Sequence, residues 1–172
     1  MEPAKYSSVA ALRDGGRLEI RALRPNDRAA LLAAAGRVAA PSLYRRFLGV
    51  KRGFTEREVA FFSNVDFVHH VALVAVIEEG GREEIVGGGR YIVVQPGQAE
   101  LAFMVIDQYQ GLGIGAALMS NLATIARSAG IRELIAEVLA DNAQMLSVFK
   151  KSGFPLTTKR ESGVLHVTLQ VS

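Results

Sequence analysis

The segment Gln110-Gly111-Leu112-Gly113-Ile114-Gly115 lies just beyond the apolar run Leu101 to Ile106 and leads straight into a stretch of helical periodicity. Three glycines at alternate positions let main chain approach a ligand with no Cβ in the way. Where such a loop opens a helix, the unpaired N–H groups and the positive end of the helix dipole face whatever the loop holds. The arrangement is an anion cradle, suited to a phosphate or pyrophosphate. A fold for this chain must therefore bring a strand, a glycine loop and a helix N-terminus to one place.

The type of phosphate ligand is narrowed by what flanks the glycines. No Gly-Lys-Ser/Thr follows them, so the loop is not a P-loop. Gly111, Gly113 and Ala116 do satisfy the dinucleotide pattern G-x-G-x-x-G/A, with Glu137 downstream. In a dinucleotide fold, however, the turn directly follows the first strand and a long strand–helix series comes after it. Here Asp107, Gln108, Tyr109 and Gln110 separate strand from glycines, and the loop lies about two-thirds along the chain. Too little sequence remains to complete a doubly wound sheet.

Gln110, Gly113 and Gly115 instead occupy the fixed positions of Gln/Arg-x-x-Gly-x-Gly/Ala, and the segment resembles the acyl-CoA-binding signature of the GNAT superfamily of N-acyltransferases. The resemblance continues through Glu133 to Leu139, Asp141-Asn142, a short helix and Lys151-Ser152-Gly153-Phe154, the family's strand–Asn–helix–Gly-Phe series. Together the two motifs cover Glu100 to Phe154. Ser42 to Phe47 and Val71 to Val76 are similar to the acetyltransferase domain of Pat-type bacterial protein-lysine acetyltransferases. The resemblance implies that Gln110, Gly111, Leu112, Gly113, Ile114, Gly115 and Ala116 bind acetyl-CoA, the acyl donor.

Composition is compatible with this. A chain of 172 residues with 49% hydrophobic content makes one globular domain, taken as residues 1–172 with 1–14 as a flexible tail. No apolar run is long enough to span a membrane, and Met1 to Ser8 has no signal-peptide core, so the cytoplasm is the expected compartment. The absence of cysteine removes disulfides, thiolate metal sites and a Cys-acyl intermediate. A formal charge of +3 with scattered basic residues gives no nucleic-acid footprint.

Along the chain, Leu18 to Leu23 alternates as a half-buried strand. Pro25-Asn26-Asp27 then starts an alanine-rich helix ending near Gly36. Ser42 caps a further helical turn, and Thr55 to Glu58 has the spacing of a capping box opening another helix. Val71 to Ile77 and Ile85 to Val94 read as an antiparallel hairpin turning at Gly80-Gly81. Gln95 to Gln98 turns the chain again into Glu100 to Ile106. Ile114, Leu118, Leu122, Ile125 and Ala129 recur at helical spacing, interrupted by Asn121 and closed by Gly130. Leu134 to Leu139 is a buried strand, laid parallel to the earlier one by right-handed crossover. Leu156 to Arg160 and Val164 to Val171 close the chain as a hairpin. The fold class is α/β: a GNAT-like mixed, mostly antiparallel sheet with one parallel pair at the CoA site, flanked by helices.

If that parallel pair splays at its carboxyl ends, an extended cofactor arm fits between the strands and bonds the free edge as another strand would. In the family this strand, here Phe103, Met104 and Val105, offers backbone groups to the pantetheine and to the thioester carbonyl, where an N–H stabilises the oxyanion. The side chains of Phe103 and Met104 read as core filling. An alkyl amine, with a pKa near 10.4, is protonated at neutral pH and needs a base before it attacks. Glu100 is the position where the family's protein-lysine acetyltransferases place that base; a solvated residue after the Pro96-Gly97 turn is the plain reading. Glu137 competes. Asn142 reads as a helix cap or, following the resemblance, as a pantetheine ligand. The Tyr that many family members use to protonate the thiolate is replaced by Phe149, a departure common among the Pat-like domains that the chain resembles.

His69 and His70 point to opposite faces of a strand and cannot share a metal, so no metal site is expected. Tyr44, Arg45 and Arg46 read equally as ligand contacts or as a solvated basic face. The expected activity is transfer of acetyl from acetyl-CoA to a primary amine, most simply a protein lysine, with an acyl-CoA synthetase as the acceptor the resemblance brings forward. A small-molecule amine acetyltransferase and a non-catalytic acyl-CoA sensor are the alternatives.

Overall fold

A computed structural model describes residues 1–27, 29–30, 65–106 and 109–172. The strands β1 (Ser7–Ala11), β2 (Arg17–Ala22), β3 (His70–Glu79), β4 (Arg82–Gln95) and β5 (Gln98–Val105) come first. They are followed by helix α1 (Ile114–Ser128), strand β6 (Glu133–Leu139), helix α2 (Ala143–Lys150), and the strands β7 (Leu156–Glu161) and β8 (Val164–Gln170). Among the described residues these strands form one sheet in the order β1-β2-β3-β4-β5-β6-β8-β7. Every neighbouring pair is antiparallel except β5 and β6. The expected mixed sheet with a single parallel pair is therefore present.

Tight turns set the hairpin registers. Gly80 and Gly81 join β3 to β4 with φ of +59° and +78°, a backbone that side-chain-bearing residues rarely adopt. This two-residue connection extends both strands beyond the spans expected for them, from His70 at one end to Gln95 at the other. Pro96-Gly97 joins β4 to β5 in the same way.

One face of the sheet carries the main core. Leu18, Ile20, Val71, Leu73, Val86, Tyr91, Leu101 and Phe103 pack there against Ile114, Leu118, Leu122 and Ile125 of α1. The four helical residues recur at three- or four-residue intervals, so they form one stripe along the helix. Close approach of α1 to β4 depends on Gly89, where a Cβ would come within 3.0 Å of Leu122 Cδ1. α1 ends in a Schellman arrangement: Gly130, with φ +82°, donates to Arg127 O at 3.1 Å, and Ile131 donates to Ala126 O at 2.9 Å. Asn121, the break in the apolar stripe, accepts from the Tyr6 hydroxyl and donates to Ala117 O at 2.7 Å.

The opposite face carries a smaller cluster of Leu23, Ala72, Val74, Val76 and Ile85. Beside it, Arg21 and Asp27 form a buried two-pronged ion pair at 2.8 and 3.0 Å. Burial alone would raise the Asp27 pKa. The Arg21 hydrogen bonds and the Arg24 N–H at 2.7 Å outweigh it and hold the carboxyl below its ordinary value.

Two expectations change. Part of the stretch 1–14, read as a tail, is strand β1, paired with β2 from Ser7↔Arg21 to Ala11↔Arg17. The polar, small residues of Ser7–Ala11 hide this strand because an edge strand buries little. The alanine-rich helix begins later than expected: Pro25–Asp27 is a 3-10 turn, and Ala29 and Ala30 are helical. That helix's continuation, the Ser42 turn, Tyr44, Arg45, Arg46 and the Thr55 helix lie outside the described residues.

Candidate active site at the β5–β6 fork

Strands β5 and β6 pair only from Gln98↔Glu133 to Glu100↔Ile135. Beyond Glu100, β5 stays bonded to β4 as far as Val105↔Gly87, while β6 stays bonded to β8 as far as Leu139↔Val164. The two strands part at Glu100, leaving one edge of Leu101–Val105 without a strand partner among the described residues. Phe103, Met104 and Val105 all lie on this stretch, and their main chain forms its edge. Their side chains do other work. Phe103 is 3% exposed and packs on Phe149 with ring centroids 5.9 Å apart, and Met104 is buried.

The glycine loop stands at the carboxyl end of this edge. Gln110 reaches back to it, donating from Nε2 to Val105 O at 3.2 Å. Gly111 and Gly113 have φ of +83° and +93°, and Gly113 is the N-cap of α1 with no side chain bonding the first helical N–H groups. A Cβ on Gly111 would meet nothing within 4 Å, so that face of the loop is open. Gly115 lies on the α2 side, where a Cβ would meet Val148 Cγ2 at 3.5 Å. Leu112 is half-buried, Ile114 is in the core and Ala116 is exposed, so the last two contribute main chain rather than side chain to the mouth of the loop. Uncapped helical N–H groups, positive-φ glycines and open space suit a pyrophosphate.

Glu100 is exposed, not half-buried as its place at the end of a strand suggests. Strand register puts it on the same sheet face as Ile92, His70 and Ile135, with Arg90 diagonal to it on β4. The Arg90 guanidinium is lowered by burial, and the negative charge of Glu100 pulls it the other way. His70, buried at the start of β3, is pushed down to about 4, first by burial and then by the positive charge of Arg90. It is therefore neutral at pH 7. Preceding it, Asp66 accepts from the N–H groups of Val68, His69 and His70 at 2.9, 2.8 and 2.9 Å, which brings its carboxyl down to about 2.

The competitor base, Glu137, lies two residues beyond Ile135 on the same face of β6. It is tied to His166 at 3.5 Å, and His166 Nε2 lies 3.3 Å from Glu161. Asn142 is the N-cap of α2, its Oδ1 accepting from Met145 N at 3.2 Å. The capping reading is thus the one seen, and the side-chain NH2 takes no part in the cap. Phe149 is 1% exposed beneath Phe103 and supplies no acid. Among the described residues no group of three or more His, Cys, Asp or Glu is placed to hold a metal, and no helix is long and apolar enough to cross a membrane.

Three residues of the site were not read from the sequence: Arg90, His70 and Arg13. The first two needed the register across three strands. Arg13 reaches the loop from the β1–β2 turn, across a separation of 98 residues. An open cavity of about 480 Å³ lies at the C-terminal end of α1, lined by Arg127, Gly130 and Arg132 among others, at the opposite end of that helix from the Gly111–Gly115 loop.

Comparison with known proteins agrees with the geometry. The model of the acetyltransferase (GNAT) family matches residues 37–154. An acetyltransferase of Pseudomonas aeruginosa is 33% identical over 147 residues, covering 85% of this chain and 79% of that protein. The acetyltransferase Pat of Mycolicibacterium smegmatis is 30% identical over 164 residues, covering 93% of this chain but only 47% of its own length. The crystal structure of the GNAT domain of S. lividans PAT superposes with a TM-score of 0.85 at 32% identity, covering 95% of this chain and 96% of that one. YncA of Salmonella typhimurium, solved with its cofactor acetyl-CoA, shares the fold with a TM-score of 0.73 at 20% identity, over 90% of this chain and 94% of that one. The chain belongs to the GNAT family of acetyltransferases and is related to its Pat-type enzymes.

Proposed function

We propose that the protein transfers acetyl from acetyl-CoA to the side-chain amine of a protein lysine, with Glu100 as the general base. The observation that carries this reading is the position of Glu100 at the last paired residue before β5 and β6 part. A pantetheine arm bonded along Leu101–Val105, with its pyrophosphate on Gly111–Gly115, ends its thioester near that fork. Glu100 takes a proton from the incoming ammonium, and the neutral amine nitrogen attacks the thioester carbon. An N–H of the β5 edge steadies the oxyanion. The C–S bond breaks, the nitrogen gives its second proton to water as the amide forms, and CoA leaves as a thiolate. A thiol with a pKa near 8.5 is a tolerable leaving group without an acid, which fits the buried Phe149.

The Pat relatives support a protein acceptor, and an acyl-CoA synthetase is the one we favour. With His70 buried and neutral and Arg90 half-buried, the Glu100 carboxylate is the exposed charge of these three, compatible with an approaching cation. Incubation with acetyl-CoA and a cell lysate, followed by mass spectrometry, tests the reading. Newly acetylated protein lysines are expected. Acetylation confined to small amines would replace the acceptor, and binding of acetyl-CoA with no product of any kind would make the protein a sensor.

A further inference from the structure

Arg13 lies in the turn between β1 and β2, a turn that is firmly built. Leu12 is buried in the main core and its N–H donates to Gly16 O at 2.7 Å. Gly15 N donates to Leu12 O at 2.9 Å, and Asp14 Oδ1 accepts from Gly16 N at 2.9 Å. From this anchor Arg13 lies over the glycine loop. Its main-chain N–H donates to Leu112 O at 3.3 Å, and its Nη1 donates to Gly111 O at 3.2 Å. A Cβ on Gly113 would lie 3.9 Å from its Nε. The side chain is exposed, and among the described residues no carboxylate forms an ion pair with it.

A guanidinium has five N–H donors in a planar fork matched to phosphate oxygens, and the Gly111 bond uses one of them. Its charge lies beside the positive end of the α1 dipole, which repels it. An anion between the two relieves that repulsion and accepts bonds from both sides. We propose that Arg13 closes the acyl-CoA cradle from outside, its guanidinium bonding the same pyrophosphate that the N–H groups of Gly111–Gly115 hold from within. This rests on the reading of the loop as the acyl-CoA site and adds a second element, the β1–β2 turn, to it. The competing role is mechanical: Arg13 as a strap that fastens the turn to the loop through Gly111 O.

The two roles separate by charge. Arg13→Gln keeps a donor for the Gly111 carbonyl and loses the charge, whereas Arg13→Lys keeps the charge. Calorimetric titrations of the full chain would use acetyl-CoA, 3′-dephospho-acetyl-CoA and S-acetylpantetheine, which has no pyrophosphate. The expected result is about tenfold weaker binding of both CoA forms to Arg13→Gln, the scale of one lost charge-assisted bond at an exposed site. Arg13→Lys should bind closer to wild type, and affinity for S-acetylpantetheine should not change. Wild-type affinity of Arg13→Gln for acetyl-CoA would overturn the proposal. So would an equal loss with S-acetylpantetheine, which would make Arg13 a strap, or a loss confined to the form bearing the 3′-phosphate. Failure of the wild-type protein to bind acetyl-CoA would instead remove the functional reading on which the proposal rests.

Discussion

On the edge of β5 that faces β6 and on the adjoining loop, the groups offered to a ligand are almost all main chain. They are the edge of Leu101–Val105, which has no strand partner among the described residues, and the N–H groups beyond Gly113 that no side chain caps. On the sheet face carrying Glu100 the groups are side chains: the exposed carboxylate, the half-buried Arg90 and the buried His70. One side therefore tolerates most side-chain changes and depends on glycine and strand pairing. The other depends on three particular residues on three strands. A donor that is the same in every reaction cycle suits the first kind of site, and an acceptor that must be chosen suits the second.

That contrast can be broken most forcefully at Gly113. A valine there is strained at φ +93° and puts a branched Cβ into the proposed phosphate cradle. Gly113→Val should raise the acetyl-CoA dissociation constant by about a hundredfold or more, the loss of two charge-assisted backbone bonds. Normal affinity in a folded variant would mean that the cradle lies elsewhere. On the other face, Asp27→Asn leaves the Arg21 guanidinium buried with half its pairing, at a cost of about 3 kcal/mol in urea unfolding. A loss well under 1 kcal/mol would show that the ion pair does not hold that face.

His70 sharpens the comparison with a smaller effect. Its folded pKa of about 4 lies below the ordinary 6.5, so the unfolded chain binds more protons between those values. Its contribution to stability is fully present above pH 6.5 and is lost as pH falls towards 4. The melting temperature should drop across that window, and His70→Gln should flatten the drop. An unchanged slope in the variant would mean that His70 is not held neutral by its surroundings.

The strand, glycine loop and helix α1 were largely legible because glycine spacing and helical periodicity are local patterns. Gln110, Gly113 and the Ile114–Leu118–Leu122–Ile125 stripe stand where the sequence places them. The fork was expected from the parallel pair, and the register locates it at Glu100. On the sheet face proposed for the acceptor, only Glu100 was singled out in the sequence. Arg90 and His70 join it through a register that runs across β3, β4 and β5, and a bulge between Ala75 and Val76 shifts the pairing of β3 with β4. β1 escaped notice because Ser7–Ala11 buries almost nothing, and with it went Arg13, whose meaning depends on where that edge strand turns. Asn142 had two readings, and only the bond from Met145 N shows the cap.

The most direct test of a main-chain donor site beside a side-chain acceptor site is the pair of measurements on Glu100→Gln. The substitution keeps shape and hydrogen bonding but cannot accept the amine's proton. Acetyl-CoA affinity by calorimetry should match wild type. Turnover at neutral pH should fall by about 10²–10⁴, the range for a positioned base, and recover in part at high pH, where more of the amine is already neutral. A Glu100→Gln protein with wild-type turnover at neutral pH would contradict the account and bring Glu137 forward as the base.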